Sequence, residues 1–126
     1  MSLGKNFTRK TSNAFREELT MEADAILSAR WVIPILRVLA KNPNRFSGIK
    51  NLLKGVSPKV LALRLRQLED ASIIEKVRLP APANCDGYAL TELGLSTIPI
   101  IIAINDWAAK MTELTVEART GCNFGR

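Results

Sequence analysis

The sequence predicts a mainly α-helical domain that carries a small β-hairpin. Apolar residues recur at spacings of three and four through most of the chain, which is typical of amphipathic helices. The stretch Ile73–Leu79 is instead rich in β-branched residues, and a loop with two prolines separates it from the short apolar segment Tyr88–Leu90. The 126 residues suffice for one core of moderate size. We expect a domain over 13–111, a flexible N-terminus at 1–12 and a C-terminal tail at 112–126.

Composition narrows the classes of function. The formal net charge of +6 favours binding to phosphate backbones, acidic proteins or anionic membrane surfaces. No apolar run approaches the roughly 20 residues that span a bilayer, and there is no signal-peptide core, so we expect a cytoplasmic protein that does not bind membranes. The chain has no histidine, and Cys85 and Cys122 lack metal-ligand spacing. We therefore expect neither a metal nor another cofactor, and no enzymatic activity.

The stretch Val56–Ala71 predicts the central helix. Ser57 is suited to cap its first turn, and Pro58 fits the first helical position because its missing N–H has no partner there. One face of this helix carries a buried leucine stripe, formed by Leu61, Leu65 and Leu68. The opposite face carries polar residues, which suits either insertion into a DNA major groove or an ordinary solvated surface.

Three predicted helices precede this one, and the first two lie between the N-terminus and Pro43. An amphipathic helix starts at Asn13, and it either packs on a partner subunit or covers its own core. A second helix starts near 28–30 and ends before Pro43, because proline disfavours helical geometry in the residue before it. Its predicted buried stripe comprises Trp31, Ile35, Val38 and Leu39.

A short helix over about Phe46–Leu53 completes a candidate helix-turn-helix, with Gly55 in the turn. We expect it to bury Phe46, Ile49, Leu52 and Leu53. The hairpin that follows the central helix is then a wing, which makes the predicted fold a winged helix-turn-helix.

Thr91 is predicted to cap a last helix that runs to about Met111 or beyond, with Pro99 kinking or locally opening it. Its segment Ile98–Ile104 is apolar on every side, so either a second copy of the chain or the centre of its own core must cover it. The tail continues weakly helical to about Arg119 and then frays.

Several runs resemble the HxlR-type winged helix-turn-helix regulators over about residues 24–110. The matching runs are Arg30-Trp31, Arg45–Ile49, Val56–Glu69, Ile73–Lys76, the wing prolines Pro80 and Pro82, Tyr88–Gly94 and Trp107. The resemblance implies a homodimeric prokaryotic transcription regulator that binds double-stranded DNA, with dimerisation helices at both ends of the domain.

Two departures from the family pattern bear on function. Members that sense oxidants carry a cysteine before the first core helix, and residues 17–30 have none, so redox sensing by that route is not expected. Ser72 stands where the family usually has glycine, and Asp86 stands where it usually has an apolar residue.

The candidate site residues form two groups. For Arg64, phosphate contact and a salt bridge to Glu69 or Asp70 are both open. The expected DNA-binding residues are Arg45, Ser47, Ser57, Lys59, Val60, Leu63, Arg64, Gln67, Lys76, Arg78 and Asn84. The expected dimer interface comprises Phe15, Leu19, Ile98, Ile101, Ile102 and Trp107.

The leading hypothesis is a homodimer that binds a pseudo-palindromic operator, with the recognition helix in the major groove and the wing on the flanking backbone or minor groove. The alternative is a winged-helix protein-interaction module with weak or no specific DNA binding. A third hypothesis adds a small-molecule effector at the apolar interface around Ile98–Trp107.

Overall fold

The computed structural model describes residues 2–121, with side chains over 13–117. It confirms the predicted fold class, a mainly helical domain with one two-stranded antiparallel hairpin. Within the described residues no helix is long and apolar enough to cross a membrane. The elements in chain order are α1 Ser2–Ser28, α2 Val32–Lys41, α3 Phe46–Leu52, α4 Pro58–Asp70, β1 Ile74–Arg78, β2 Asp86–Leu90, α5 Glu92–Leu95 and α6 Ile98–Gly121.

The hydrophobic core lies between α2, α3, α4 and the start of β1. The predicted leucine stripe of α4 is confirmed, because all three of its side chains are buried. Leu52 was wrongly predicted to be buried, since α3 ends there and turns its side chain to solvent, while Val56 contributes to the core instead. The largest fully buried side chains are Val32, Ile35, Leu36, Ile49, Leu61, Leu65, Leu68 and Ile74.

The N-terminal helices differ from their predicted bounds. Helix α1 begins at Ser2 rather than Asn13, so the segment expected to be flexible is helical from residue 2, and its sequence has no proline to interrupt it. Helix α2 begins at Val32 rather than near 28–30, because Trp31 has a left-handed backbone with φ of 78° and breaks the helical path. Trp31 itself is half-buried against the core.

The predicted last helix is two helices. Thr91 caps α5, its Oγ1 accepting from the Gly94 N–H at 3.1 Å. The chain then breaks and α6 starts at Ile98, which places Pro99 in a first turn, where no donor is required. Pro99 therefore does not kink a continuous helix, and in place of a local opening the helix is interrupted completely between Leu95 and Ile98. Helix α6 extends to Gly121, so the first two residues of the segment 120–126 that was predicted to fray are helical. The rest of that segment, with Cys122, lies outside the described residues.

Helix α4 ends in a Schellman motif. The Ser72 N–H donates to the Glu69 carbonyl and the Ile73 N–H donates to the Leu68 carbonyl, both at 2.9 Å. Ser72 consequently adopts a left-handed φ of 63°. This conformation favours glycine, the residue that the resemblance to HxlR-type regulators implies at this position.

The hairpin pairs Ile74 with Leu90 and Arg78 with Asp86 at its two ends. Asn44, between α2 and α3, adds a bridge to β2: its N–H donates to the Tyr88 carbonyl at 3.0 Å, and the Tyr88 N–H donates back at 2.7 Å. Gly87 lies beside this bridge, where a Cβ would come within 2.9 Å of the Asn44 carbonyl oxygen. The wing is therefore fixed to the joint before α3.

Candidate DNA-binding surface

Helices α3 and α4 form the helix-turn-helix, and two residues set its turn. Gly55 has a φ of 98°, a left-handed conformation that glycine adopts without a steric penalty. Ser57 caps α4 as predicted: its Oγ accepts from the Val60 N–H at 3.1 Å, and Pro58 occupies the first helical position. The start of α4 is thus defined by local contacts.

The outward face of α4 offers both polar and apolar groups to a partner. Lys59 and Gln67 are exposed, and Leu63 is 48% exposed although it is a large apolar side chain. An ammonium group near a helix start suits a phosphate or a guanine, and a leucine on the same face suits a thymine methyl group. The surface can therefore contact both the backbone and the base edges of a duplex.

Arg64 lies on the flank of α4 and is bound within the protein. Its Nε donates to the Arg30 carbonyl oxygen at 2.8 Å, and its Nη1 donates to Gln67 Oε1 at 2.9 Å. Within the described residues, neither Glu69 nor Asp70 forms an ion pair with it, so the expected salt-bridge alternative is wrong. The sequence pattern had no signal for the Arg30 contact, because the two residues are 34 positions apart.

The wing carries two cations: Arg78 has partners within the hairpin, and Lys76 forms no ion pair among the described residues. Arg78 Nη1 lies 3.2 Å from Asp86 Oδ1, and its Nη2 donates to the Asn84 carbonyl oxygen at 2.7 Å. Asn84 sits in the wing turn with a φ of 48°. Lys76 is exposed, and no ion pair among the described residues involves it. Lys76 is therefore the wing cation most available to a phosphate.

Two further predicted DNA contacts lie at the start of α3. Arg45 immediately precedes this helix, its side chain is exposed, and its backbone N–H donates to Asn44 Oδ1 at 2.9 Å. Ser47 is exposed in the first turn. Sequence reasoning missed Asn44, which connects this region to the wing, because an Asn-Pro-Asn run is typical of a loop.

The residues predicted to form a dimer interface separate into two sets. Phe15 and Leu19 on α1, and Ile102 and Trp107 on α6, are exposed, and Trp107 is the most exposed of them at 64%. The prediction for Ile101 needs correction, since it is only 5% exposed and belongs to the core of its own chain. Its burial follows from the packing of α6 against α2. Ile98 is half-buried.

An apolar groove of about 400 Å³ lies between α1 and the α5–α6 segment. Ile26 and Leu27 of α1 line one wall, with Leu93 and Ile100 on the other. Leu19 also lines it, so the groove continues into the exposed apolar face of α1.

Comparison with known proteins places this architecture in a family. The family model for HxlR-like helix-turn-helix proteins matches residues 26–115, which include the helix-turn-helix and the wing. The chain belongs to the HxlR family. It is a transcriptional regulator of the helix-turn-helix type, and HxlR-type regulators are not enzymes.

Relatives within the HxlR family occur in distant bacteria. The HTH-type transcriptional regulator YodB of Bacillus subtilis is 34% identical over 91 residues, which cover 72% of this chain and 81% of YodB. The HTH-type transcriptional regulator YtfH of Escherichia coli is 31% identical over 99 residues, which cover 78% of this chain and 79% of YtfH. The crystal structure of quinone-bound YodB superposes with a TM-score of 0.62 at 32% identity and covers 72% of this chain and 94% of that one.

Proposed function

We propose that this HxlR-type regulator binds a pseudo-palindromic operator as a homodimer. The observation that carries the proposal is that one chain leaves two different surfaces uncovered. The outward face of α4 is polar and basic, whereas α1 and α6 expose apolar side chains that water solvates poorly. The first surface suits DNA, and the second suits another copy of the chain.

The apolar surface of α6 has the spacing of a helix–helix seam. Ile100, Ile104, Trp107, Met111 and Leu114 follow one another at alternating steps of four and three. This repeat of 3.5 residues lines up one side of a helix against a partner helix. Ile100 also borders the apolar groove, so the seam continues towards α1. A twofold pairing of two copies would cover the exposed apolar side chains of α1 and of α6 at once.

The DNA-facing residues divide by the part of the duplex that they suit. Lys59 and Leu63 lie on the outward face of α4 and suit base edges and phosphates in the major groove. Arg45 and Ser47 at the start of α3, and Lys76 on the wing, suit the flanking backbone. A dimer would place its two recognition helices about 34 Å apart, or one duplex turn.

Selection from random duplex DNA, followed by binding titrations at several salt concentrations, tests DNA recognition. We expect a palindromic sequence that binds far more tightly than a scrambled duplex. Equal binding to both, with release from both by modest salt, would reduce the role of the +6 charge to nonspecific attraction and would favour a protein-interaction module.

Sedimentation equilibrium of the free protein tests the homodimer separately. We expect a particle of twice the 13.9 kDa chain mass at micromolar concentration. A monomer that remains a monomer on the selected operator would contradict the dimer without affecting the assignment of the DNA-binding face.

A further inference from the structure

Two hydrogen bonds fix the guanidinium of Arg64. Nε is held by the Arg30 carbonyl oxygen and Nη1 by Gln67 Oε1. Because the guanidinium group is planar and rigid, bonds from two of its nitrogens determine the orientation of the whole group. Arg64 therefore links the turn at Arg30, which precedes α2, to the side chain of Gln67.

The turn around Arg30 is itself held by backbone hydrogen bonds. Its backbone N–H donors bond to the carbonyls on either side of Arg30: Val32 donates to Ala29 and Ile35 donates to Trp31. The Arg30 carbonyl is left to accept from Arg64. The Trp31 indole packs over the helix-turn-helix, within 3.8 Å of where a Cβ on Gly55 would stand. The hydrogen bonds of Arg64 thus connect Gln67 to a turn that packs on the same core as α4.

The chemistry of the two side chains decides which end of the Gln67 amide faces Arg64. A guanidinium group carries only donors, so the atom opposite it must be the amide oxygen. A flipped amide would place N–H groups against N–H groups. The Gln67 Nε2 is therefore the end left for a partner outside the protein, and the residue is exposed.

We infer that Gln67 contributes to base specificity mainly by donating from Nε2 to DNA, and that Arg64 is the positioning residue that fixes this orientation. An unrestrained glutamine contacts adenine with both ends of its amide, accepting from N6 and donating to N7. Arg64 occupies one of the two acceptor positions of Oε1, which fixes the amide and prevents it from rotating to optimise that bidentate contact. The outward Nε2 donor then favours acceptor edges, namely guanine N7 and O6 or thymine O4.

This inference rests on the proposed function, since it requires α4 to lie in the major groove. Gln67 follows Lys59 and Leu63 at steps of four along the exposed side of α4, so all three fall within reach of one groove. The three residues would contact successive positions of one half-site, and Gln67 would contact the position nearest to the C-terminal end of the helix.

Parallel selections from random duplex DNA test the inference with the wild type, Gln67→Ala, Gln67→Glu, Arg64→Met and Arg66→Met. Arg66 is exposed on the same helix, and the Arg66→Met substitution removes the same charge as Arg64→Met, so it is the matched control. We expect guanine or thymine at one position of each wild-type half-site, with a preference of about fivefold or more. Gln67→Ala should abolish the preference at that position alone.

Arg64→Met and Gln67→Glu test the orientation of the Gln67 amide, with Arg66→Met as the control. Arg64→Met frees the amide to rotate, so adenine should become more acceptable at the same position, whereas Arg66→Met should leave the base preference at that position unchanged. The carboxylate introduced by Gln67→Glu still accepts from Arg64 but has no donor, so the preference should switch to cytosine or adenine, whose edges carry amino groups. Thermal unfolding of each variant checks that the fold survives. If Arg64→Met does not fold, Gln67→Glu still tests the inference, because its carboxylate keeps the hydrogen bond from Arg64.

Different outcomes would overturn different statements. A wild-type protein that enriches no sequence contradicts the proposed function and this inference together. A wild-type operator whose base preferences survive in both Gln67 variants contradicts the inference alone. If Arg64→Met weakens all sequences equally and lowers the salt dependence by about one counterion, Arg64 is a phosphate contact and not a positioning residue.

Discussion

Helices α4 and α6 are both rich in apolar residues, but only α4 is completed by its own chain. In α4 the apolar stripe is fully buried and the outward side is largely polar. In α6 Ile101 is buried, whereas Ile102 and Trp107 are exposed on sides of the helix about 140° apart. In the proposed function the two helices have different partners: the polar side of α4 would contact DNA, and a second copy of the chain would cover the exposed side chains of α6.

The largest expected effect tests the buried side of α4. Leu65→Ala removes a side chain that is 1% exposed and leaves a cavity between α4 and the rest of the core. We expect a loss of about 2–5 kcal/mol in the free energy of unfolding, measured by urea denaturation at fixed protein concentration. Leu63→Ala removes the same atoms from the outward side and should change it by no more than about 0.5 kcal/mol. Equal losses would mean that both sides of α4 are packed.

The exposed seam of α6 gives the next largest effect. Trp107→Ala removes the largest exposed apolar side chain of α6, so the homodimer should dissociate about 30-fold more readily, in keeping with a buried tryptophan at the centre of an interface. Glu113→Ala, on the opposite side of the same helix, is the control and should leave the association constant unchanged. Sedimentation equilibrium measures both. An unchanged dimer in the Trp107 variant would place the interface elsewhere.

The third prediction tests whether the outward face of α4 contacts DNA through Lys59. Lys59→Ala should leave the free energy of unfolding nearly unchanged, since the side chain is exposed, but should weaken operator binding by about tenfold if it contacts a base or phosphate. A phosphate contact would also lower the slope of log K against log salt by about one. Fluorescence anisotropy titrations measure both quantities, with Lys110→Ala on α6 as the charge-matched control. If the two variants bind alike, α4 does not approach the duplex through its first turn.

The smallest effect concerns the end of α4. Ser72 holds a left-handed backbone that costs a non-glycine residue about 1–2 kcal/mol, and glycine would remove this cost but would lose more entropy on folding. The Ser72→Gly variant should therefore be more stable by about 0.5 kcal/mol, with unchanged DNA affinity. A thermal melting temperature below that of the wild type would show that the serine side chain contributes a contact that outweighs the strain.

The accuracy of the sequence predictions follows the range of the interactions involved. The cap formed by Ser57, the proline at the first position and the leucine stripe of α4 depend on residues three or four positions apart, and all were predicted correctly. The break between α5 and α6 was missed, although Pro99 signalled some disturbance. A proline can kink a helix or begin a new one, and the sequence pattern does not distinguish the two. In the structure α5 ends at Leu95 and Pro99 stands in the first turn of α6.

The candidate DNA-binding surface shows the same limit. Sequence patterns placed Arg64 and Arg78 at positions where cations contact phosphates, but could not show that each already has a partner within the protein. The partner of Arg78 is across the hairpin, which strand pairing makes predictable once the register is known. The partner of Arg64 is a backbone carbonyl 34 residues away, and no local pattern encodes that contact.

The sequence by itself determined the order and type of the main elements, the start of the recognition helix, the leucines that anchor it and the family to which the chain belongs. These features depend on local hydrogen bonding and on the periodicity of apolar residues, both of which can be followed along the chain. Only the tertiary structure decided that Ile101 belongs to the core, that Asn44 pairs with the wing and that Arg64 hydrogen-bonds to the Arg30 carbonyl. Each of these facts depends on how separate elements pack, because residues distant in sequence meet only after the helices and the hairpin have come together.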